Sequence, residues 1–298
     1  MGRYWELGLA DWFETFNSNL RMTKATTDAI SHRYKTMTSR INLDFWNINS
    51  DTQNSLYVGS YGRGTAIHIS DIDVLFVLPV EKYHQYNKYT TGGQSALLQE
   101  VKNSIAKTYS TTHMRADGQV IVLEFTDKIR FEIVPCFLNQ DKATYTYPDT
   151  NNGGSWKVTK PKEEIAEINS ANNLWNKNLK RLCRMARAWK DTWDVPMGGL
   201  LIDTLAYNFM KSWEHRTESY LYYDWMSRDF FKYLSEQNKS QSYWLAVGSN
   251  QQVNRKGSFE NKALQCYNLS LTAINYEKDY EWSAKQKWRE IYGTKFPS

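Results

Sequence analysis

The sequence predicts an α+β fold in which a lobe built on a mixed β-sheet is followed by a helical lobe. The run Ile72–Leu78 is apolar and rich in β-branched residues, which is typical of a buried strand. Two further strand patterns, residues 119–125 and 129–134, are close enough in sequence to form a hairpin or meander. From residue 173 onwards the apolar residues recur at helical spacing instead.

The remaining elements follow from local patterns. Residues 9–45 contain no proline and mix polar with apolar residues in a way that predicts one or two amphipathic helices. A short strand is predicted at Ser55–Val58, a glycine-rich turn at Gly59–Gly64 and a helix over residues 94–109. In the second half, helices are predicted over residues 173–192, 199–215, 222–236 and in two segments between 259 and 292.

A polar stretch rich in turn residues, Asn139–Lys162, separates the two patterns. It predicts a long surface loop and a boundary between lobes. We therefore expect a first domain of residues 1–160, which includes the N-terminal helix, and a helical domain of residues 161–298. A ligand-binding active site is expected in the cleft between them.

Composition restricts the function. The 298 residues are 41% hydrophobic, which predicts a folded chain with a substantial core, and no apolar run approaches the length of a membrane span. The net charge of +5 suits anionic ligands such as nucleotides but falls short of the footprint of a dedicated nucleic-acid-binding protein. The three cysteines are far apart in sequence and form no CxxC pair, which indicates neither a zinc ribbon nor a disulfide framework and favours a reducing, cytoplasmic setting.

Two carboxylates lie one position apart, Asp71 and Asp73, in the stretch GSYGRGTAIHISDIDVLFVLP. On a strand this spacing points both side chains to the same face. Glu132 lies in another strand pattern, RFEIVP, and three carboxylates on adjacent strands repel one another unless a cation lies between them. Mg²⁺ is suited to such a site because it takes oxygen ligands from carboxylates and substrate phosphates. The alternative is that the D-x-D pair only marks a turn or the end of a strand.

The residues upstream complement the carboxylates. Gly59 and Ser60 form a turn whose backbone N–H groups and hydroxyl can bind a phosphate, and Arg63 adds positive charge. A phosphate cradle followed by a metal-binding pair fits transfer of a nucleotidyl group from an NTP. His68, between the two features, either approaches the triphosphate or is a packing or surface residue.

These motifs resemble a known group. A Gly-Ser pair, about ten residues, D-h-D-h (h, hydrophobic) and a third acid on a later strand are similar to the DNA polymerase β-type nucleotidyltransferase superfamily. The form GSYGRGTAI…SDIDVLFVLP with RFEIVPCF resembles its cGAS/DncV-like branch, the CD-NTases of bacterial CBASS antiphage systems. In that branch the third acid precedes a V-P-x-F-like turn and is more often Asp, so Glu132 is a departure by one methylene.

The resemblance extends to NLKRLCRMARAWKDTW, which is similar to the family helix whose basic residue reaches the donor triphosphate. By that pattern Arg187 takes the place of a lysine, and Arg184 lies one turn earlier. Lys180 shares their helix face, and the alternative is that this face is simply solvated.

The resemblance implies a synthase of cyclic oligonucleotides, foremost cyclic dinucleotides, which uses NTPs and two Mg²⁺ ions, or Mn²⁺, and releases pyrophosphate. Purine NTPs are the favoured substrates and CBASS accessory proteins are expected partners, whereas no nucleic-acid activator and no membrane are expected. The implied catalytic and metal-binding residues are Asp71, Asp73 and Glu132, and the implied nucleotide-binding residues are Gly59, Ser60, Arg63, Arg184 and Arg187.

Two other hypotheses stay open on the residues alone. One is a nucleotidyltransferase that uses the same cluster on RNA ends, as in oligoadenylate-synthase-like proteins, or on a small molecule such as an antibiotic. The other is a non-enzymatic sensor or scaffold that retained the fold.

Overall fold

The computed structural model describes residues 7–67 and 71–298. Within them the chain forms two compact units. The sheet unit comprises residues 22–63 and 71–165, and the helical unit comprises residues 7–21, 64–67 and 166–298.

The strands are β1 (Ser55–Tyr57), β2 (Ile72–Val77), β3 (His113–Asp117), β4 (Val120–Glu124), β5 (Arg130–Leu138), β6 (Tyr145–Asp149), β7 (Ser155–Thr159), β8 (Tyr243–Leu245) and β9 (Gln252–Asn254). The helices are α1 (Leu7–Asn19), α2 (Lys24–Ile41), α3 (Gly59–Arg63), α4 (Val80–Asn87), α5 (Gly93–Ala106), α6 (Pro161–Leu174), α7 (Asn178–Thr192), α8 (Gly199–Ser212), α9 (Tyr223–Ser235), α10 (Glu260–Tyr276) and α11 (Glu281–Tyr292). None of the helices in the described ranges is long and apolar enough to cross a membrane.

The sheet unit contains a mixed sheet of order β1-β2-β5-β4-β3, extended by β6 and β7 beyond β5. Strands β2 and β5 are parallel, while β1 is antiparallel to β2 and β4 is antiparallel to β5. The mixed sheet, the buried strand β2 and the β4–β5 hairpin confirm the sequence predictions. The parallel register places Asp73 beside Glu132 and Ile72 beside Phe131.

Alternation along β2 explains its position. Val74 and Phe76 are fully buried in the main core of the sheet unit, together with apolar side chains from helices α2 and α5. Leu75 points to the other face and packs with Cys136 and Tyr145 in a smaller cluster. Because both faces of β2 are covered, the strand is a nearly continuous apolar run, and Asp73 is a polar exception within it.

The helical unit has a separate core, to which α1 contributes. Leu9, Trp12, Phe13 and Phe16 recur at helical spacing and are buried among side chains of the C-terminal helices. The Phe13 ring lies 5.2 Å from that of Trp288, centroid to centroid. Helix α1 therefore belongs to the helical unit, although the sequence led us to expect it with residues 1–160. The sheet unit ends at residue 165.

Two local predictions were wrong, and one hairpin had not been predicted. The stretch 139–162 is not a plain loop but contains β6 and β7, which pair through five residues each. The turn residues beside these strands, such as those of the 3₁₀ turn Asn151–Gly153, obscured the strand pattern. The Gly59–Gly64 turn contains the short helix α3, and the hairpin β8–β9 inside the helical unit had not been predicted.

Candidate active site

The carboxylates predicted from the sequence lie at one end of the β2–β5 pair. Asp73 is the second residue of β2, and Glu132 is its neighbour in the parallel register on β5. Asp71 directly precedes β2 and is partly exposed. Since parallel neighbours in register share a face of the sheet, the fold brings Asp73 and Glu132 side by side, with Asp71 two residues away.

A guanidinium group connects two of these carboxylates. Arg130 Nη2 donates to Glu132 Oε1 at 2.6 Å, and Arg130 Nη1 lies 3.4 Å from Asp71 Oδ1. Arg130 Nε also lies 3.8 Å from Oε1 of Glu124, which is opposite Arg130 in the antiparallel β4–β5 register. Arg130 is thus a counterion for the carboxylate site and has a third carboxylate, that of Glu124, within reach.

The backbone before α3 packs directly against Asp73. Gly59 has a φ of +59°, and a Cβ added there would lie 1.8 Å from Asp73 Oδ2. The Val58 N–H donates to the Asp73 carbonyl oxygen at 2.9 Å. This close approach requires glycine, and it holds the Gly59-Ser60 backbone beside the carboxylate.

The environment of Asp73 disfavours its charge. Burial, followed by the neighbouring Glu132 carboxylate, raises the pKa of Asp73 to about 6, against the opposing effect of the Arg63 guanidinium. A cation placed beside Asp73 stabilises the ionised form of its carboxylate. The donor set, three carboxylates with oxygen ligands only, fits Mg²⁺ or Mn²⁺ rather than a softer metal.

The carboxylates do not converge on one point as they stand. Within residues 7–67 and 71–298 no three Asp, Glu, His or Cys side chains are arranged to hold a metal ion. In this arrangement Asp71 and Glu132 are both paired with Arg130.

Two of the predicted nucleotide-binding arginines lie in buried ion pairs. Arg63, at the end of α3, is 3.2 Å from Glu164. Arg187 on α7 makes a bidentate contact with Asp203 on α8, at 2.6 and 3.0 Å, and also donates to the Gly199 carbonyl oxygen. Both guanidinium groups are therefore held by carboxylates within their own units.

The other predicted residues are placed differently. Ser60 lies in the first turn of α3, next to Gly59. Arg184 on α7 is partly exposed and donates to the Gly64 carbonyl oxygen at 2.9 Å. His68 lies outside the described residues.

Comparison with known proteins identifies the family. Residues 7–172 match SMODS, the Second Messenger Oligonucleotide or Dinucleotide Synthetase domain. The chain belongs to the SMODS family. The match spans more than half of the chain and includes Asp71, Asp73 and Glu132. The SMODS chain is also 23% identical, over 279 residues, to a probable cyclic nucleotide synthase of Bacillus cereus, covering 80% of this chain and 81% of that one.

Solved structures share the fold of the SMODS chain. The Escherichia coli MS115-1 complex of CdnC with HORMA-deltaN matches with a TM-score of 0.72 at 14% identity, over 97% of this chain and 98% of that one. Vibrio cholerae DncV in complex with the linear intermediate 5′ pppA(3′,5′)pG matches with a TM-score of 0.65 at 14% identity, over 98% and 88%. With the family match, these likenesses confirm the nucleotidyltransferase fold and the assignment of the protein as an enzyme, a nucleotidyltransferase of the cyclic nucleotide synthase type.

Sequence reasoning on the SMODS chain missed several charged residues around the predicted site. Arg130 could have been found, because it lies two positions before Glu132 and so on the same face of β5. Glu164 and Asp203 have no local signal. Their importance comes from ion pairs with arginines 101 and 16 residues away, which only the tertiary structure reveals.

Proposed function

We propose that this SMODS enzyme joins two purine NTPs into a cyclic dinucleotide, with release of pyrophosphate, and that the product is a second messenger in antiphage defence. The single observation that supports the site most strongly is the parallel register of Asp73 and Glu132, with Asp71 connected to Glu132 through Arg130. A cluster of acids at the end of two strands has no evident structural role, since it raises the pKa of Asp73 at a cost to the fold.

In this proposal Asp71, Asp73 and Glu132 hold two Mg²⁺ ions, with Mn²⁺ as the alternative. Such ions, when bound, activate an attacking hydroxyl and stabilise pyrophosphate as it leaves. Glu132, with Asp73 beside it, takes the proton of the acceptor hydroxyl. The longer Glu132 side chain brings its carboxylate one methylene further from β5 than an Asp would.

The chain also supplies candidate phosphate ligands. The Gly59 backbone lies directly beside Asp73 and Ser60 follows it in α3, so the Gly59-Ser60 backbone and the Ser60 hydroxyl are the groups proposed to orient the donor triphosphate. The nucleotide-binding role of Arg63, Arg184 and Arg187 stays a prediction. For Arg63 and Arg187, whose guanidinium groups are engaged by Glu164 and Asp203, we propose that each acts mainly by stabilising the packing of its own helix within its own unit.

The choice of substrate and partners rests on the relatives. Structures similar to this chain are described with ATP for CdnC, with GTP for CdnE of Elizabethkingia meningoseptica and with an adenine–guanine linear intermediate for DncV. The CdnC–HORMA complex supports an accessory protein as a partner. Activity without nucleic acid is part of the proposal, and it rests on the modest net charge of +5.

The test is mass spectrometry of the products that the purified protein makes from an equimolar mixture of the four NTPs with Mg²⁺ and no nucleic acid. A phosphatase-resistant cyclic purine dinucleotide is expected. The Asp71→Asn, Asp73→Asn double variant should make none, while its thermal unfolding shows that it still folds. Asp28→Asn, an exposed change of the same kind on α2, is the matched control and should retain activity.

Two results would contradict the proposal. If the double variant still made cyclic product, Asp71 and Asp73 would not be required for catalysis. Nucleotidyl transfer that requires added RNA or a small acceptor molecule would favour the other hypothesis drawn from the sequence.

A further inference from the structure

A polar cavity of about 250 Å³ lies in the helical unit, between α1, α7 and the 3₁₀ turn at residues 220–222. Three arginines line it, Arg21, Arg181 and Arg184, together with Asn17 and Tyr220. We call it the basic pocket. Its volume is several times the share of one water molecule, about 30 Å³, and leaves room for a phosphate group or a short phosphate chain.

Two of the guanidinium groups are fixed in place. Arg181 donates to the Asn176 carbonyl oxygen and to Asn178 Oδ1, both at 3.2 Å, and lies 4.6 Å from the centre of the Tyr220 ring. Arg184, which lies three residues later on the same helix face, donates to the Gly64 carbonyl oxygen at 2.9 Å. These hydrogen bonds to neutral acceptors orient both cations without neutralising them.

The positive charges lack carboxylate partners. In the described parts of the chain, no Asp or Glu oxygen lies within 4.0 Å of a guanidinium nitrogen of Arg21, Arg181 or Arg184. Glu14, the acidic residue in the lining, is exposed and makes no such ion pair. The buried Arg187 of the same helix, by contrast, is paired with Asp203.

The free energy of this arrangement favours an added anion. Burial, followed by the like charges of Arg21 and Arg181, lowers the pKa of Arg184. Arg184 Nε is a buried donor without a hydrogen-bond partner, and Asn17 Oδ1 is a buried acceptor without one. An anion oxygen can accept from Arg184 Nε, and the hydroxyl of a monoprotonated phosphate can donate to an amide oxygen.

We propose that the basic pocket is an anion-binding site for a phosphate group or a short phosphate chain. Arginine is the residue that suits this ligand, because its planar fork binds two phosphate oxygens at once. Three guanidinium groups match the two or more negative charges of phosphate or polyphosphate better than the single charge of a carboxylate. The site is argued from α1, α7 and Tyr220. It shares Arg184 with the predicted nucleotide-binding residues, so the test compares a pocket variant with an Asp73 variant.

The test is isothermal titration calorimetry on the full-length protein in EDTA, which removes divalent metal ions from the carboxylate site. The three titrants are inorganic phosphate, tripolyphosphate and ATP. We expect tripolyphosphate to bind and to raise the thermal unfolding temperature. The three titrants distinguish two sources of the ligand. Binding of phosphate and tripolyphosphate alone indicates a free inorganic anion, and binding of ATP as well indicates the triphosphate of a nucleotide.

Two variants and one control distinguish binding in the pocket from attraction to net charge. Arg21→Gln, an exposed change at the rim, should weaken tripolyphosphate binding by about tenfold or more, since a charge-assisted hydrogen bond is lost. Ser18→Glu places a carboxylate in the lining of the pocket, so it should abolish binding and raise the unfolding temperature of the ligand-free protein. Lys211→Gln removes the same charge from an exposed position on α8 outside the pocket and should leave affinity unchanged.

Three outcomes would overturn the proposal. The first is an absence of binding by all three anions. The second is an equal loss of affinity in Arg21→Gln and Lys211→Gln, which would show attraction to net charge only. The third is ATP binding that Asp73→Asn changes and Ser18→Glu does not, which would assign the ligand to the carboxylate site.

Discussion

Arg130 is a counterion of the carboxylate site that pairs with two of its carboxylates. Its guanidinium group binds Glu132 and lies near Asp71, and these oxygens are among the proposed metal ligands. We predict that Arg130→Gln binds Mn²⁺ or Mg²⁺ about tenfold more tightly than the wild-type protein, because hydrogen bonds between charged groups are worth about 1.5–3 kcal/mol. Calorimetry without nucleotide measures this directly.

The matched control is Arg115→Gln. Arg115 pairs with Glu124 at 3.1 Å and not with the proposed metal ligands, so its removal should leave metal affinity unchanged. Weaker metal binding by Arg130→Gln would instead show that the arginine orients Asp71 and Glu132 for the metal ion.

Asp73 carries a cost in stability that depends on pH. Its pKa is raised from an ordinary value of 3.8 to about 6, first by burial and then by Glu132. Between these values the folded protein binds the extra proton, so the free energy of unfolding of the metal-free protein falls as pH rises from about 4 through 6. The loss present at pH 7 is at most about 3 kcal/mol, since one pKa unit corresponds to about 1.4 kcal/mol.

We therefore predict that Asp73→Asn, which cannot ionise, is more stable than the wild-type protein at pH 7 in EDTA and loses that advantage near pH 4. Urea unfolding at the two pH values measures the difference. Asp28→Asn, at an exposed position, should show no such dependence. An unchanged free energy of unfolding in Asp73→Asn at pH 7 would show that the ionised carboxylate is already compensated by Arg63 and Arg130.

At the scale of elements, the connection from β1 to α3 depends on a single glycine. Gly59 combines a positive φ with a backbone that touches Asp73, so Gly59→Ala introduces both backbone strain and a clash with Asp73 Oδ2. Gly92 before α5 also has a positive φ, of +72°, but no atom lies within 4 Å of an added Cβ. The pair therefore separates strain from steric contact.

We predict that Gly92→Ala lowers the free energy of unfolding by about 1 kcal/mol and leaves the carboxylate site intact. Gly59→Ala should lower it by more and should also abolish product formation, because Asp73 must move. Urea unfolding and product assays on both variants are the measurements. Equal effects of the two substitutions would mean that the α3 turn can shift away from Asp73 without consequence.

The elements also show what the sequence can and cannot reveal. Strand β2 and the β4–β5 hairpin were predicted because short apolar runs rich in β-branched residues are typical of buried strands. Strands β6 and β7 were missed because short polar strands beside turn residues have the composition of a loop. Local spacing predicted the pair Asp71 and Asp73, and the strand pattern added Glu132, which lies beside Asp73. The Arg187–Asp203 pair, by contrast, joins two helices whose contact no local pattern encodes.

At the scale of the whole molecule, chain order and spatial order differ. Helix α1 precedes the sheet unit in sequence but packs in the core of the helical unit, where the Phe13 ring lies 5.2 Å from Trp288 and 5.3 Å from Phe296. Helix α1 thus completes the core formed by the C-terminal helices. The SMODS match begins at residue 7 and ends at residue 172, so it includes this helix and omits most of the unit that the helix completes.

We predict that Phe13→Ala lowers the free energy of unfolding by about 3–5 kcal/mol, as expected for a fully buried phenylalanine that leaves a cavity among rings. Thr15→Ala, an exposed change two residues along the same helix, should alter it by no more than about 0.5 kcal/mol. Urea unfolding followed by tryptophan fluorescence reports on this core directly, because Trp288 contacts Phe13. If both variants unfold at the same urea concentration, α1 is only attached to the helical unit and its apolar face contributes nothing to the core. A large effect of Phe13→Ala alone would show that the first helix of the chain is needed to stabilise the last ones.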